Sequence, residues 1–220
     1  FRQTLRRAVA ELDGNFGSYR ISEAFMLLYK LFWDDFSGWY LEMIKPAYGA
    51  PIDPRTVDEA KGFFDALLRL LHPFMPFVTE EIWQDLAPRA AGDAVARQPQ
   101  ADEQADEALL ARFELVKETI TAVRNIRKQK NLPQREALTL EVIADANYPA
   151  DYAPVLTKMA NLSAIERVAE KDAAAAAFIV KTTQYFVPLG DRIDREAEIA
   201  KLGEELTYYE GFLQSVERKL

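Results

Sequence analysis

The stretch YKLFWDDFSGWYLEMIKP, residues 29–46, gathers six aromatic side chains and two adjacent aspartates ahead of a proline. Followed upstream, Ile21, Phe25, Leu28, Phe32, Phe36, Trp39 and Met43 recur at steps of three and four. That spacing lays side chains along one side of an α-helix. The stretch therefore reads as a core stripe, with Phe32, Phe36, Trp39 and Met43 packed inward and Asp34, Asp35 and Glu42 left in water. Pro46 ends the helix, because it has no amide hydrogen and disfavours helical geometry in the residue before it. A hydrolase built on Asp34 and Asp35, or on Glu80 and Glu81, is a poor reading, since nothing nearby supplies a second catalytic group.

Working outward, Phe1, Leu5, Ala8, Val9, Leu12 and Phe16 give a first helix, which DGNFGS at 13–18 is expected to break. Downstream, Thr56 with Glu59 three residues later has the form of a capping box, opening a helix with Val57, Ala60, Phe64, Leu67 and Leu71 inside. Pro73 and Pro76 bracket a sharp connection. Thr79 is placed to cap a short helix carrying Ile82, Trp83 and Leu86. Residues 1–88 thus read as a four-helix unit, and residues 89–105, rich in Ala, Gln, Asp and Pro, as a linker or surface loop.

A long helix follows, with Leu109, Phe113, Val116, Ile120 and Val123 in step. The period then changes to two in LTLEVIA (138–144), the mark of a strand. A helix over 152–161, a short strand in AIERVA (164–169) and a longer strand or hairpin in FIVKTTQYFVPL (178–189) complete a small α/β unit within 106–190. Ile199, Leu202, Leu206, Tyr209, Leu213, Val216 and Leu220 then form a heptad seam, the start of a coiled-coil helix over 191–220 that needs a partner. The fold class expected is mainly α.

The chain has no cysteine and one histidine, His72, which excludes disulfides, thiolate chemistry and a His-based metal cluster. His72, at a helix end before a proline, reads as structural. No apolar run reaches the roughly 20 residues of a membrane span. Both termini fall within amphipathic patterns, so a piece of a longer protein is expected. The formal net charge of −8 argues against indiscriminate nucleic-acid binding and leaves room for a local basic face.

Two such faces stand out. Residues 117–135 hold Lys117, Arg124, Arg127, Lys128, Lys130 and Arg135 against one acid, Glu118. On a helix, Arg124, Arg127 and Lys128 would be neighbours, either a phosphate footprint or a solvated basic helix end. On the first helix, Arg2 and Arg6 flank the apolar face and Arg7 lies away from it. Arginines at a helix margin suit a single-stranded RNA loop, whose splayed bases are read by stacking and hydrogen bonds.

FWDDFSGWYLEMIKP (32–46), followed by LLRLLHPFMPFVTEEIWQ (67–84), resembles the anticodon-binding helical domain of class I aminoacyl-tRNA synthetases, most closely the valyl family. AVRNIRKQKNLP (122–133) resembles that family's Val-Arg-x-Ile-Arg helix. The segment from Tyr185 to Leu220 resembles the entry into its C-terminal coiled-coil arm. Residues 89–105 depart from the pattern. The resemblance implies a helical-bundle anticodon-binding domain, a small α/β unit and the base of a coiled coil, in a cytoplasmic protein. The family joins valine to its tRNA using ATP and magnesium, through an upstream catalytic domain. That domain's His-Ile-Gly-His and Lys-Met-Ser-Lys-Ser signatures are absent here, so the chain by itself is expected to hold valine tRNA, without catalytic residues or a cofactor of its own. The tRNA-binding candidates are Arg2, Arg6, Arg7, Arg124, Arg127, Lys128 and Lys130. The alternative is a helical adaptor that binds a protein partner, or a second copy, through the seam at 199–220.

Overall fold

The computed structural model describes residues 1–90, 92–95, 104–170, 175–190, 203, 206–210 and 213. It is mainly α with a small α/β portion, and divides into two compact units, Phe1–Glu114 and Leu115–Leu220. The first unit, expected to end at residue 88, reaches into the long helix.

The first unit opens with α1 (Arg2–Gly17) and α2 (Ile21–Lys30). The chain then runs on without a break through a π-helical stretch, Leu31–Tyr40, into the short α3 (Leu41–Ile44). Helices α4 (Pro54–Leu71) and α5 (Pro76–Leu86) follow. The core joins Ala8, Val9 and Leu12 of α1 to Ala24, Leu28, Leu31, Phe36 and Tyr40, and to Leu67, Leu70 and Leu71 of α4. Phe36 stacks on Phe64 with ring centroids 6.1 Å apart, and Phe1 packs against Phe36 at 5.2 Å.

The buried stripe of residues 21–44 departs from the three-and-four pattern. Ile21 and Phe25 are exposed, and Trp39 and Met43 are half-buried. The core takes Ala24, Leu28, Leu31, Phe36 and Tyr40 instead, with a step of five between Leu31 and Phe36. A π turn holds one residue more than an α turn, so it rotates every later side chain around the helix.

Helix starts and stops differ from expectation for local reasons. Residues 13–17 stay helical, because Phe16 is anchored on Phe74 at 6.0 Å and Asn15 is buried. That packing outweighs the roughly 1 kcal/mol cost of a helical glycine. The turn comes at Tyr19, with φ of 57°. Helix α4 begins at Pro54, not Thr56. Asp53 is its cap, accepting the Thr56 backbone N–H at 3.0 Å, and a proline in the first turn needs no amide hydrogen. Glu59 pairs with Arg2 instead of completing a capping box. Thr79 is no cap either: it is buried inside α5, donates to the Met75 carbonyl at 2.8 Å, and lies 2.8 Å from His72 Nδ1. That bond fits a structural histidine.

The expected linker starts as a packed strap. Val95 is buried with Leu68 and Trp83, and Arg89 lies over the Trp83 ring at 3.7 Å. Asp65 of α4 accepts from Arg69 Nε at 2.6 Å, Trp83 Nε1 at 2.6 Å and Arg89 Nη2 at 3.1 Å, tying α4, α5 and strap together. Helix α6 (Glu107–Gln129) is opened by the Asp106 carboxylate, which accepts the Leu109 backbone N–H at 2.9 Å. Leu109 itself is exposed and Leu110 is buried in its place.

In the second unit, the buried stripe of α6 is Val116, Ile120 and Val123, as spaced. Strands β1 (Leu138–Ile143), β2 (Leu162–Arg167), β3 (Ala175–Val180) and β4 (Thr183–Pro188) form one sheet in the order β2-β1-β4-β3. β1 and β2 are parallel, and the crossover that parallel pairing requires contains α7 (Ala153–Met159). β3 and β4 form an antiparallel hairpin, and β4 pairs antiparallel with β1. Leu138, Leu140 and Val142 are wholly buried, alternating with half-buried neighbours. Tyr185 of β4 stacks on Phe178 at 5.0 Å and hydrogen-bonds Thr119 of α6. Of the heptad seam, Leu206, Tyr209 and Leu213 are exposed; Ile199, Leu202, Val216 and Leu220 lie outside the described residues.

Candidate nucleic-acid interface

The basic end of α6 separates into two kinds of residue. Arg124 and Lys128 are exposed four residues apart, hence on one side of the helix, and Lys130 is half-buried. Arg124 donates to the Met159 carbonyl at 2.9 Å. Arg127 is different. It is 1% exposed, and its Nη1 donates to the carbonyls of Pro133 (3.1 Å) and Glu136 (2.7 Å). Its Nη2 donates to Ala160 (3.1 Å) and Asn161 (2.8 Å). Arg127 is therefore no phosphate ligand, contrary to expectation: its planar fork of donors serves as a clamp between the end of α6, the turn after it and the end of α7. The sequence did hold the signal. Arg127 stands four residues after Val123 and seven after Ile120, in register with the core stripe.

The cations of α1 all lie at or near the surface. Arg2 is exposed and pairs with Glu59 at 2.9 Å, Arg6 is half-buried, and Arg7 is exposed with Nη1 3.7 Å from Glu107. Exposed pairs of this kind contribute at most about 1 kcal/mol, so a stronger anionic partner displaces them readily.

Between α1 and α2 lies a cleft of about 140 Å³. Arg7, Glu11, Lys30 and Asp35 line it beside the buried Ala8 and Leu31. Asp35, expected in water, is half-buried here. A larger cavity of about 260 Å³, lined by Phe25, Tyr29, Phe64, Leu68, Val78 and Ile82 among others, is apolar by contrast. Sequence reasoning missed Glu11 and Lys30. Their part in a shared cleft depends on how α1 and α2 pair, and single-helix spacing carries no sign of it.

Among the described residues, no group of three or more His, Asp or Glu side chains is placed to hold a metal ion, and no helix is long and apolar enough to cross a membrane.

Residues 1–144 match the family described as the anticodon-binding domain of tRNA ligase, and the chain belongs to that family. The relatives it resembles are valine–tRNA ligases. It is 53% identical to that of Parabacteroides distasonis over 222 aligned residues, covering 100% of the chain and 25% of that protein. Identity to the Phocaeicola vulgatus protein is 51%, over 100% of the chain and 25% of that protein. Identity to the Listeria innocua protein is 34%, over 92% of the chain and 24% of that protein. The chain spans about a quarter of the length of the curated relatives it matches.

Proposed function

We propose that this chain is the tRNA-holding part of a cytoplasmic valine–tRNA ligase, with its helical unit engaging the anticodon arm of valine tRNA. The observation that carries this reading is the family match over 1–144, together with identity to valine–tRNA ligases along the whole chain. The exposed cations on α1 and at the end of α6 supply the charge that phosphates require, on a body whose formal net charge is −8. Amino-acid activation, with its ATP and magnesium, belongs to a catalytic domain elsewhere in the longer enzyme. The chain contributes grip and recognition.

Titrating the chain with valine tRNA at low salt tests this, with a tRNA of another anticodon as control. Saturable binding that prefers the valine tRNA is expected, whereas a helical adaptor for a protein partner would bind neither. Mixed with ATP, valine and tRNA, the chain alone is expected to form no aminoacyl-tRNA. Valine-dependent exchange of pyrophosphate into ATP would overturn that division of labour.

A further inference from the structure

We propose that the exposed apolar face formed by Phe25 and Tyr29 of α2 with Met75, Val78 and Ile82 at the start of α5 is a docking seat inside the longer enzyme. Its occupant is an apolar surface from the part of that polypeptide outside residues 1–220. The inference rests on the reading of this chain as one part of a longer enzyme, and it does not depend on tRNA being bound.

Helix α2 carries more apolar surface than its own unit buries. Only Ser22, Glu23 and Lys30 of its ten residues are polar. Ala24 and Leu28 are buried in the core, while Ile21, Phe25, Met26 and Tyr29 are exposed. A helix that is apolar all round belongs in an interior. The exposed surface also continues beyond α2. Phe25 packs on Phe74 with ring centroids 5.4 Å apart, and Phe25 and Tyr29 join Met75, Val78 and Ile82 around the cavity of about 260 Å³. Leu68 and Leu71 of α4, both buried, line it as well. Contiguous apolar surface of this kind marks an interaction site, and the hollow in it admits a bulky apolar side chain.

Chemistry and chain length decide the occupant. No charged residue lines the cavity, and the Thr79 hydroxyl is already donated to the Met75 carbonyl at 2.8 Å. A nucleic-acid strand needs cations for its phosphates beside any ring it stacks on, so the face suits protein. The chain covers 25% of the valine–tRNA ligase of Parabacteroides distasonis, so most of such a protein lies outside it. A segment of the same polypeptide meets the face at the high effective concentration of an intramolecular contact. A second copy would have to arrive from dilute solution and bury roughly 800 Å² on each partner.

The test uses the complete enzyme, with the photoreactive residue p-benzoylphenylalanine placed at Tyr29 and, in a separate protein, at Val78. Tyr29 is 49% and Val78 47% exposed, so both positions accept a larger side chain without disturbing the core. Dilute protein is irradiated and digested, and the linked peptides are identified by mass spectrometry. Each position is expected to give cross-links to peptides outside residues 1–220, in products with the mass of a single chain. At either position, links confined to residues 1–220, products with the mass of two chains, links to added valine tRNA, or no link at all overturn the proposal. Binding of valine tRNA is measured on the same samples. A protein that binds the tRNA but gives no link beyond residues 1–220 overturns the docking seat alone. One that gives those links without binding the tRNA overturns the tRNA reading alone.

Discussion

Arg127 shows how one residue can look like a ligand contact and be a structural brace. Its charge is buried among four backbone carbonyls, which would otherwise lack those donors. Lysine keeps the charge but cannot span four acceptors from a single nitrogen. Arg127→Lys is therefore expected to lower unfolding free energy by about 3 kcal/mol, read from urea melts, the cost of stranding buried polar groups. Lys128→Gln, at an exposed position next door, is expected to leave the melt unchanged. Asp65 gives a pH signature. Partial burial pushes its pKa up, but the hydrogen bond and charge of Arg69, the Trp83 bond and Arg89 outweigh burial and hold it below the ordinary value. A lowered folded pKa stabilises the fold above the unfolded value of about 4 and loses that contribution as pH falls through the folded value. Urea midpoints of the parent and of Asp65→Asn should thus differ by a constant amount near neutrality and converge below about pH 4.

At the scale of elements, the π-helical stretch matters most. It inserts a step of five into a helix otherwise read in threes and fours, and so moves Tyr40 into the core and Trp39 to its margin. The outward side of the same run leaves Trp33 60% exposed. Helix α4 offers the complementary experiment. Gly62 lies on its exposed face with nothing within 4 Å of where a Cβ would sit. Gly62→Ala is expected to stabilise the protein by roughly 0.5–1 kcal/mol, by removing a helical glycine's entropy cost. The same change at Gly49, where φ is +79°, is expected to destabilise. Thermal melts of the two variants should move in opposite directions.

For the whole molecule, the proposed function requires an acidic chain to concentrate its cations, and their engagement with phosphates should show in salt dependence. Arg124 and Lys128 remain as the exposed pair at the end of α6, since Arg127 is turned inward. Changing both to glutamine is expected to weaken valine tRNA binding and flatten the plot of log K against log salt, by roughly 0.7–0.9 for each phosphate that is no longer neutralised. Discrimination between anticodons should survive, because phosphates carry no base identity. Substituting Arg2 and Arg6 is expected to do the reverse, eroding discrimination more than the slope. Equal salt slopes for the parent and the α6 double variant would take that helix out of the interface.

The sequence by itself determined a good deal. Period-three-and-four runs located the helices, period two located β1, and punctuation by Pro46, Pro73 and Pro76 separated helices, because these are local properties of a chain with one buried side. The quoted motifs determined the family. Tertiary structure decided what depends on a second element. It set the rotation of the stripe at Leu31, since a π turn is selected by packing and has no period of its own. It kept Gly14 and Gly17 helical, because Phe16 had Phe74 to meet. It drew Arg127 inward, since its carbonyl partners lie up to 34 residues away, and it gathered Glu11, Lys30 and Asp35 around one cleft. Spacing along a single helix says which residues are neighbours; only the packing of a second helix says which neighbours still face water.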